Sequence, residues 1–564
     1  MDKPWLQQYP AGVPHAIAPT RYSSLTELFD DSCRRFHDLP AFSNMGAVMT
    51  YAELERRSRS FGAYLQRQHD MRPGDRVAIM LPNLLQYPVA LFGALRAGLV
   101  AVGCSPLYTA RELEYQLKDS GATCIVVLEN VARTLQQIIE RTSVRTVVVT
   151  GVGDMLPPAQ AWLTNLVVKH IKHLVVPWKI AGAVRFPWAL AQGEQLAFQP
   201  VARCRDDVAL LQYTGGTTGV PKGAMLTHGN LIANLEQISA WFGSELKEGA
   251  ETVITALPLY HVFALTTNLL TFLKWGGHNV LITDPRDVRR LVRDIRAVRF
   301  TAITGVNTLF KAMLHEPGMR EVDLSGLKFA VAGGMAVQRE VAHKWMSFAG
   351  KPLIEGYGLT EASPSVAVNR LDAREYTGMV GLPLPSTEVM VCDDEGKELA
   401  FGQVGELCVR GPQVMKGYWK RADETAKVLD AAGWLRTGDL GFMDEHGYIK
   451  ITERKKDVIV VSGFKVFPNE VEEVVASHPG VLEVAAVSAP DEHSGEVVKI
   501  VVVKKDPDLT AGELVAHCMQ QLTPYKVPKL VEFQDAPLPK SAIGKPLRRL
   551  IRDKAQKVEA ARSE

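Results

Sequence analysis

Apolar runs of strand length alternate with segments of helical periodicity through the first two thirds of the chain. One such segment, Asp287–Arg299, places Val288, Leu291, Val292 and Ile295 on one face, which predicts an amphipathic helix with its arginines in solvent. The runs that predict buried strands are Arg76–Leu81, Thr123–Leu128, Val208–Leu211, Val253–Leu257, His278–Thr283 and Phe329–Ala332. This alternation is typical of doubly wound α/β layers.

The pattern changes after about residue 385. Short strands between Asp, Glu and Gly turns favour a small antiparallel barrel or distorted sheet, and they are predicted at Val389–Cys392, Glu406–Arg410 and Tyr448–Ile451. A compact final unit follows, with predicted helices at Pro468–Ser477 and Ala511–Leu522 and predicted strands at Val484–Ser488 and Val497–Val503. The predicted fold is α/β: a large N-terminal domain (1–454) of doubly wound α/β subdomains plus a small β-barrel, a hinge (455–456), and a small mobile α+β C-terminal domain (457–564).

Length and composition limit the classes of protein that fit. A chain of 564 residues is too long for one hydrophobic core, so at least two domains are expected. Its 64 basic and 62 acidic residues nearly cancel, which argues against nucleic acid as a partner. The seven cysteines form no C-x-x-C pair, so reduced thiols in a cytoplasmic protein are expected rather than a zinc site or a disulfide framework. Neither a signal peptide nor an apolar run of about 20 residues is found.

The segment Trp162–Trp188 has two interpretations. It holds three tryptophans together with Lys169, Lys172, Lys179 and Arg185 among aliphatic residues, a composition that suits a lipid interface. The alternative is an ordinary amphipathic segment packed on the protein, because Pro177 interrupts any single long helix.

A loop rich in glycine and threonine follows the strand predicted at Val208–Leu211. Glycines let backbone N–H groups crowd around a phosphate, and hydroxyls and a lysine add donors and charge. It is not a Walker A loop, since Lys222 follows Pro221 and precedes Gly223; a flexible turn is the alternative. The residues that would bind phosphates are Tyr213, Thr214, Gly215, Gly216, Thr217, Thr218, Gly219 and Lys222.

This loop resembles the phosphate loop of the adenylate-forming enzymes, which include acyl-CoA synthetases, firefly-type luciferases and the adenylation domains of peptide synthetases. The resemblance extends over nearly the whole chain. It implies a carboxylate that attacks the α-phosphorus of ATP, release of pyrophosphate, and attack of a thiol on the acyl-adenylate. ATP, Mg²⁺ and coenzyme A are the implied cofactor and co-substrates. Such a site needs cations and oriented donors, because the first step brings anions together.

A second block, Glu355-Gly356-Tyr357-Gly358-Leu359-Thr360-Glu361, resembles the adenine and α-phosphate motif of that family. The resemblance implies that Tyr357 faces the adenine, that Thr360 contacts the α-phosphate and that Glu361 binds Mg²⁺, which prefers hard oxygen ligands. The alternative is a strand–turn–helix junction. The turn at Gly333-Gly334 resembles the one beside adenine.

The later motifs carry the remaining implied roles. By resemblance, Asp439 accepts the ribose hydroxyls and Arg454 assists it. Lys456 corresponds to the hinge, and Gly463 and Lys465 lie in the block where pantetheine would approach the backbone. Near the C-terminal end, Lys545 corresponds to the lysine of adenylation, a point charge on a flexible stem. Taken alone, each of these motifs would be an ordinary turn or helix start.

The identity of the acid is argued from His261 and the apolar residues after it. The run from Val262 to Leu273 is bulky enough to line an alkyl tunnel, and His261 would border the carboxylate; a core histidine is the alternative. Two blocks, Glu453–Asp457 and Gly463–Glu470, resemble bacterial long-chain fatty acid–CoA ligases most closely. We therefore expect long-chain acyl-CoA synthesis through an acyl-adenylate. The alternatives are a medium-chain or aryl acid–CoA ligase and, in another class, a non-catalytic binding protein at the inner membrane surface. A homodimer is expected by resemblance only.

Overall fold

The computed structural model describes residues 2–18, 21–68, 71–214, 220–373, 375–491, 493–541, 544 and 546–553. Six predicted site residues lie outside these ranges: Gly215, Gly216, Thr217, Thr218, Gly219 and Lys545. Within them, no helix is both long enough and apolar enough to cross a membrane.

Strands of two large sheets occupy the first part of the chain. They are β1 (Pro40–Asn44), β2 (Ala47–Thr50), β3 (Arg76–Met80), β4 (Val100–Gly103), β5 (Cys124–Leu128), β6 (Thr146–Thr150), β7 (Val184–Arg185), β8 (Val208–Thr214), β9 (Lys222–Thr227), β10 (Thr252–Thr255), β11 (His278–Leu281), β12 (Ala302–Gly305), β13 (Phe329–Ala332), β14 (Leu353–Gly358), β15 (Ser365–Val368) and β16 (Leu382–Pro383). The later strands are β17 (Glu388–Cys392), β18 (Gly405–Arg410), β19 (Leu435–Met443), β20 (Ile449–Arg454), β21 (Ile459–Val461), β22 (Phe464–Val466), β23 (Val481–Asp491), β24 (Gly495–Lys504) and β25 (Leu530–Gln534).

Helices cover these sheets. They are α1 (Leu25–Arg35), α2 (Tyr51–Gln68), α3 (Gln86–Arg96), α4 (Ala110–Ser120), α5 (Ala132–Gln136), α6 (Pro158–Leu166), α7 (Phe186–Glu194), α8 (His228–Phe242), α9 (Val262–Ala264), α10 (Thr271–Lys274), α11 (Val288–Arg296), α12 (Asn307–His315), α13 (Arg339–Ala349), α14 (Ala422–Val428), α15 (Pro468–Ala476) and α16 (Ala511–Met519). Short 3₁₀ turns span Pro4–Gln8, Glu129–Val131, Ile139–Arg141, Pro317–Glu321, Thr360–Ala362 and Pro524–Lys526, and π-helical turns span Val167–Ile171 and Leu265–Leu270.

Two mostly parallel sheets form the large N-terminal part. One has nine strands in the order β16-β15-β14-β13-β12-β10-β11-β1-β2, and the other has seven in the order β7-β6-β5-β3-β4-β8-β9. Antiparallel pairs occur toward the edges, and the central strands pair in parallel. Strands β5 and β6 are buried along their whole length, as parallel strands covered on both faces should be.

Two smaller sheets follow. Strands β17 to β20 form a four-stranded antiparallel sheet, and β21 to β25 form a five-stranded sheet against which α15 and α16 pack around their own core. The predicted fold class, α/β with a large N-terminal part and a small C-terminal part, is confirmed. The unit predicted as a small β-barrel is an open four-stranded antiparallel sheet with β17 and β20 at its edges. The domain limits and the hinge at 455–456 stay predictions.

The predicted elements agree with the structure except at their ends and at one hairpin. Phe329–Ala332 is found with the predicted bounds. Helix α11 begins one residue later than predicted because the Asp287 side chain caps it by accepting from the Arg290 N–H, and it ends at Arg296, three residues before the predicted end. The phosphate-loop lysine was expected in a loop, but Lys222 begins β9 and pairs with Thr214 of β8. This antiparallel pairing closes a hairpin whose two strands hold the ends of the predicted loop.

Candidate active site

A cavity of about 830 Å³ lies between α8, the helix from Val262 to Lys274, and strands β12 to β15. One end is bordered by residues of the predicted nucleotide motifs, and the other end is apolar and aromatic. Its lining comprises Ile238, Phe242, Leu246, His261, Phe263, Thr267, Thr271, Phe272, Thr304, Phe329, Val331, Gly333, Gly334, Gly356, Tyr357, Gly358, Leu359, Thr360, Pro364, Ser365 and Val368.

Parallel strands explain why the predicted motifs meet here. Strands β12, β13 and β14 run in parallel, so their carboxyl ends bring Gly333 and Tyr357 to one edge of the sheet, the usual place for ligands in such sheets. Gly333 approaches Phe263 so closely that an added Cβ would lie 3.0 Å from the ring. Gly358 is packed more tightly, since a Cβ there would lie 2.2 Å from the Pro364 carbonyl oxygen. Packing therefore requires glycine at position 358 and leaves little room for a side chain at Gly333.

Alternate side chains of strand β13 line the cavity along its length. Phe329, Val331 and Gly333 all face the cavity, because every second side chain of a strand points to the same side. At its far end, the rings of Phe242 and Phe329 lie with centroids 4.8 Å apart. With a rise of about 3.3 Å per residue, Gly333 and Phe329 are separated by about 13 Å along the strand.

The predicted ribose residues form a connected group. The Tyr357 hydroxyl donates to Asp439 Oδ2 at 2.7 Å, and Arg454 Nε lies 2.6 Å from Asp439 Oδ1. Asp439 and Arg454 face each other across β19 and β20. Burial raises the pKa of Tyr357 well above its usual value, so the phenol keeps its proton. An ionised carboxylate can accept about four hydrogen bonds, so Asp439 retains capacity for a diol.

Glu361 and Lys222 are connected through a residue that the sequence reasoning missed. The Tyr418 hydroxyl donates to Glu361 Oε1 at 2.8 Å, and Lys222 Nζ lies 5.0 Å from the centre of the Tyr418 ring. Lys222 also forms an ion pair with Glu424. The β9 strand docks on this segment through hydrogen bonds from the Met225 N–H to Gly417 O and from the Trp419 N–H to Gly223 O. No local pattern marks Tyr418, because its role depends on tertiary contacts.

His261 borders the cavity and begins the helix that lines it. Its Nδ1 accepts from the Phe263 N–H at 3.3 Å, which fixes the ring as a helix cap. Burial lowers the pKa of His261 to about 4, so the imidazole is neutral at physiological pH. The helix continues through the π-helical turn Leu265–Leu270, an irregularity that is frequent at functional sites.

Glu355 is the last buried residue of β14, and the half-buried Gly356 after it lines the cavity. Glu355 is 6% exposed, and burial raises its pKa to about 8, opposed by a hydrogen bond from the Val337 backbone and by the charge of Lys450. Its carboxyl group is therefore protonated over much of the neutral range. Glu355 is not among the residues that line the cavity.

A second cleft of about 780 Å³ extends from Glu361 toward the predicted hinge. It is polar, and its lining comprises Leu359, Glu361, Asp394, Glu406, Tyr418, Lys427, Val428, Leu435, Arg436, Thr437, Gly438 and Lys455. The cleft therefore joins the candidate Mg²⁺ ligand to the segment that leads into the C-terminal part.

The C-terminal part contacts this region at two points. A Cβ on Gly544 would lie 3.0 Å from Thr308 Oγ1, so the residue before Lys545 lies against the start of α12, just beyond β12. Arg548 donates to Glu453 Oε1 at 2.7 Å and to Glu472 Oε2 at 2.8 Å, which links the end of β20 to α15. The segment that carries the predicted catalytic lysine is thus held beside the nucleotide motifs.

Lys456 of the predicted hinge and the thiol-segment residues Gly463 and Lys465 are exposed and line neither cavity, and Tyr213, Thr214, Lys222, Glu355, Asp439 and Arg454 are likewise absent from both linings. Lys456 is exposed between β20 and β21, Gly463 is in the β21–β22 turn with φ of +86° and no neighbour within 4 Å of an added Cβ, and Lys465 is exposed on β22. The arrangement joins Tyr357, Asp439, Arg454, Glu361 and Lys222 at one site and leaves the predicted thiol segment outside it.

Family comparisons cover most of the chain. The AMP-binding enzyme family matches residues 29–419, and its C-terminal domain matches residues 470–545. The chain belongs to the AMP-binding enzyme family. The predicted family is thereby confirmed.

Members of this family resemble the chain over nearly its full length. The long-chain-fatty-acid–CoA ligase of Escherichia coli O157:H7 is 55% identical over 556 residues, 99% of both chains. The enzyme of the same name from Bacillus subtilis strain 168 is 39% identical, with 98% of both chains covered. Among solved structures, ATP-bound MatB from Rhodopseudomonas palustris is similar with a TM-score of 0.78 at 28% identity, covering 94% of this chain and 99% of that one.

Proposed function

We propose that this enzyme activates long-chain fatty acids to acyl-CoA with ATP, through an acyl-adenylate, releasing AMP and pyrophosphate. The observation that carries the proposal is the deep apolar cavity that begins at Gly333 and Tyr357 and ends at Phe242 and Phe329. The distance of about 13 Å from Gly333 to Phe329 would hold about ten carbons of an extended alkyl chain, so an aryl acid would leave the far end unused. Relatives named long-chain-fatty-acid–CoA ligases at 54–55% identity over nearly the whole chain support the same substrate class.

Adenylation follows from the charges around the nucleotide motifs. Asp439, held by Tyr357 and Arg454, would orient the ribose, and Thr360 at the cavity mouth would contact the α-phosphate. Neutral His261 can donate a hydrogen bond to the acyl carboxylate without neutralising its negative charge. Lys545 would then stabilise the charge that develops during attack on the α-phosphorus.

The residues at the mouth fit Mg²⁺. The Glu361 carboxylate and the neighbouring Thr360 hydroxyl are hard oxygen donors, and Mg²⁺ commonly uses one or two carboxylates with substrate phosphates. The described residues contain no cluster of three or more His, Cys, Asp or Glu that could hold a metal by itself, so the phosphates would complete the coordination. Bound Mg²⁺ would neutralise charge on the phosphates. Tyr418 fixes the orientation of Glu361.

Thioester formation requires coenzyme A to reach the adenylate. Gly463 and Lys465 lie outside both cavities, so the C-terminal part would rotate about Lys456 to bring them to the site. The contact between Gly544 and Thr308 and the pair between Arg548 and Glu453 belong to the arrangement that suits adenylation.

A membrane-facing surface is proposed on α6 and the segment after it. Trp162, Leu163 and Ile171 are 67%, 54% and 64% exposed, and Lys169 and Lys172 are exposed beside them. Aromatic and aliphatic side chains with lysines suit an anionic lipid interface. Trp178 is different, since it packs on a buried cluster of the seven-stranded sheet.

Vesicle binding tests this surface. Trp162→Ala with Ile171→Ala should reduce cosedimentation with phosphatidylglycerol vesicles without reducing turnover of soluble octanoate. Phe401→Ala is a matched control, because that side chain is 46% exposed elsewhere on the surface. Equal binding by all variants would contradict the proposed surface. The homodimer stays a prediction from resemblance.

The ligase proposal is tested by acid-dependent pyrophosphate release. Palmitate, octanoate, ferulate and phenylalanine are compared with and without coenzyme A, and the thioester is identified by mass spectrometry. The proposal predicts the highest kcat/KM for palmitate and thioester formation only with coenzyme A. A preference for ferulate would establish the alternative of an aryl acid–CoA ligase. If no acid causes pyrophosphate release, the alternative of a non-catalytic binding protein is favoured.

A further inference from the structure

Two buried cysteines lie in contact beside the polar cleft. Cys392 ends β17, Cys408 lies on the adjacent strand β18, and their Sγ atoms are hydrogen-bonded to each other at 2.7 Å. Because Cys408 lies opposite Met390 and Cys392 lies opposite Glu406, the two cysteines occupy the same face of the sheet. A disulfide has an S–S distance of about 2.05 Å, so each sulfur would move by about 0.3 Å.

The surroundings shift the pKa values of the two thiols in opposite directions. The hydrogen bond between the two sulfurs lowers the pKa of Cys392, burial opposes this, and the positive charge of Arg436 lowers the pKa further. The same interaction and burial raise the pKa of Cys408. Both cysteines are buried, but Cys392 lies two residues before the exposed Asp394, and Asp394 and Arg436 line the polar cleft, so this is the side from which a small oxidant would reach the pair.

Glu406 connects this pair to the candidate active site. It lies opposite Cys392 in the strand register and two residues before Cys408. Its carboxylate accepts hydrogen bonds from the Gly438 N–H at 3.1 Å and from Lys455 Nζ at 3.4 Å. Gly438 precedes the ribose residue, and Lys455 belongs to the predicted hinge. The β18–β19 register also shifts between Glu406 and Cys408, a local irregularity at which a strand can bend.

We propose that Cys392 and Cys408 form a redox-active pair that a hydroperoxide converts to a disulfide in the folded enzyme, slowing turnover through displacement of Glu406. The Cys392 thiolate attacks the peroxide oxygen, which gives a sulfenic acid and an alkoxide or hydroxide that takes up a proton. The Cys408 thiol then attacks the sulfenic sulfur, the S–S bond forms, and water leaves. The two thiols lose two electrons and two protons, and the O–O bond is reduced. This inference uses the proposed ligase activity only as a readout.

The test uses full-length enzyme in a Cys204→Ser background, because Cys204 is an exposed cysteine. The protein is treated with hydrogen peroxide, desalted, alkylated under denaturing conditions and digested. The expected product is a linked peptide containing Cys392 and Cys408, lighter by two hydrogen atoms than the sum of the two thiol peptides. Recovery of both cysteines in alkylated form would overturn the proposed site, and this measurement needs no substitution at either cysteine.

Turnover tests the coupling to Glu406. In the enzyme that keeps both cysteines, the rate of thioester formation should fall by more than half after peroxide treatment and recover after dithiothreitol. In Cys392→Ala, whose melting midpoint is checked first, peroxide treatment should leave the rate unchanged. Pyrophosphate release without coenzyme A, which is itself a thiol, is measured in parallel. A linked peptide with undiminished turnover would overturn the coupling to Glu406. An untreated enzyme without any activity would instead contradict the ligase proposal, so the two failures are distinguishable.

Discussion

Replacing Val331 by phenylalanine should shorten the acyl cavity and change the chain-length preference. Val331 faces the cavity midway between Gly333 and Phe329, about 6.6 Å from each along the strand. An extended alkyl chain advances about 1.25 Å per carbon, which follows from C–C bonds of about 1.5 Å at tetrahedral angles. A phenyl ring at position 331 would therefore exclude about five carbons.

The magnitude follows from the burial that is lost. Each buried CH₂ contributes about 0.8 kcal/mol, so five contribute about 4 kcal/mol. If this burial is realised in the transition state, kcat/KM for palmitate falls by up to about a thousandfold. Octanoate reaches only slightly beyond Val331, so on the same reasoning its kcat/KM should fall by about tenfold or less.

The assay is initial-rate thioester formation with palmitate and octanoate at several concentrations. Val48→Phe is the matched control, because Val48 is 56% exposed and does not line the cavity. Equal melting midpoints of Val331→Phe and Val48→Phe ensure that the change in kcat/KM reports on binding of the acyl chain. If Val331→Phe lowers kcat/KM by the same factor for palmitate and for octanoate, the acyl chain does not run along β13 and the reasoning is refuted.

Three further predictions concern the groups around the nucleotide motifs. Tyr418→Phe removes the hydrogen bond to Glu361 and should raise the Mg²⁺ concentration needed for half-maximal pyrophosphate release, with unchanged melting; an unaltered Mg²⁺ titration would contradict the role of Tyr418. The pKa of Glu355 is raised from 4.5 to about 8, so its contribution to stability is present below pH 4.5 and is lost as pH rises through 8. Glu355→Gln should therefore raise the melting midpoint relative to wild type more at pH 9 than at pH 5. Equal increases at the two pH values would refute this prediction. Arg548→Ala should slow pyrophosphate release more than thioester formation from preformed palmitoyl-adenylate, and equal losses would contradict an adenylation-specific contact.

The motif residues could be found in the sequence because their chemistry is local. Gly358 is required by a close approach to the Pro364 backbone and Gly333 lies tightly against the Phe263 ring, while Asp439 lies on β19 opposite Arg454 of β20. The strand–helix alternation likewise identified the doubly wound layers, since buried parallel strands are continuous apolar runs.

The contacts between motifs could not be predicted in the same way. The hydrogen bond from Tyr357 to Asp439 and that from Tyr418 to Glu361 join residues 82 and 57 positions apart. Such pairs depend on strand order and on the docking of the β8–β9 hairpin. The far end of the cavity, where Phe242 meets Phe329, also depends on the packing of a helix against a sheet and has no local signature.

The two-step chemistry is tested most directly by Lys545→Ala, in a double assay with palmitate. The account predicts that palmitate-dependent pyrophosphate release is nearly lost, while thioester formation from preformed palmitoyl-adenylate and coenzyme A is retained, because only the first step needs the lysine. Loss of both reactions to the same extent in a variant that melts like wild type, or undiminished pyrophosphate release, would contradict it.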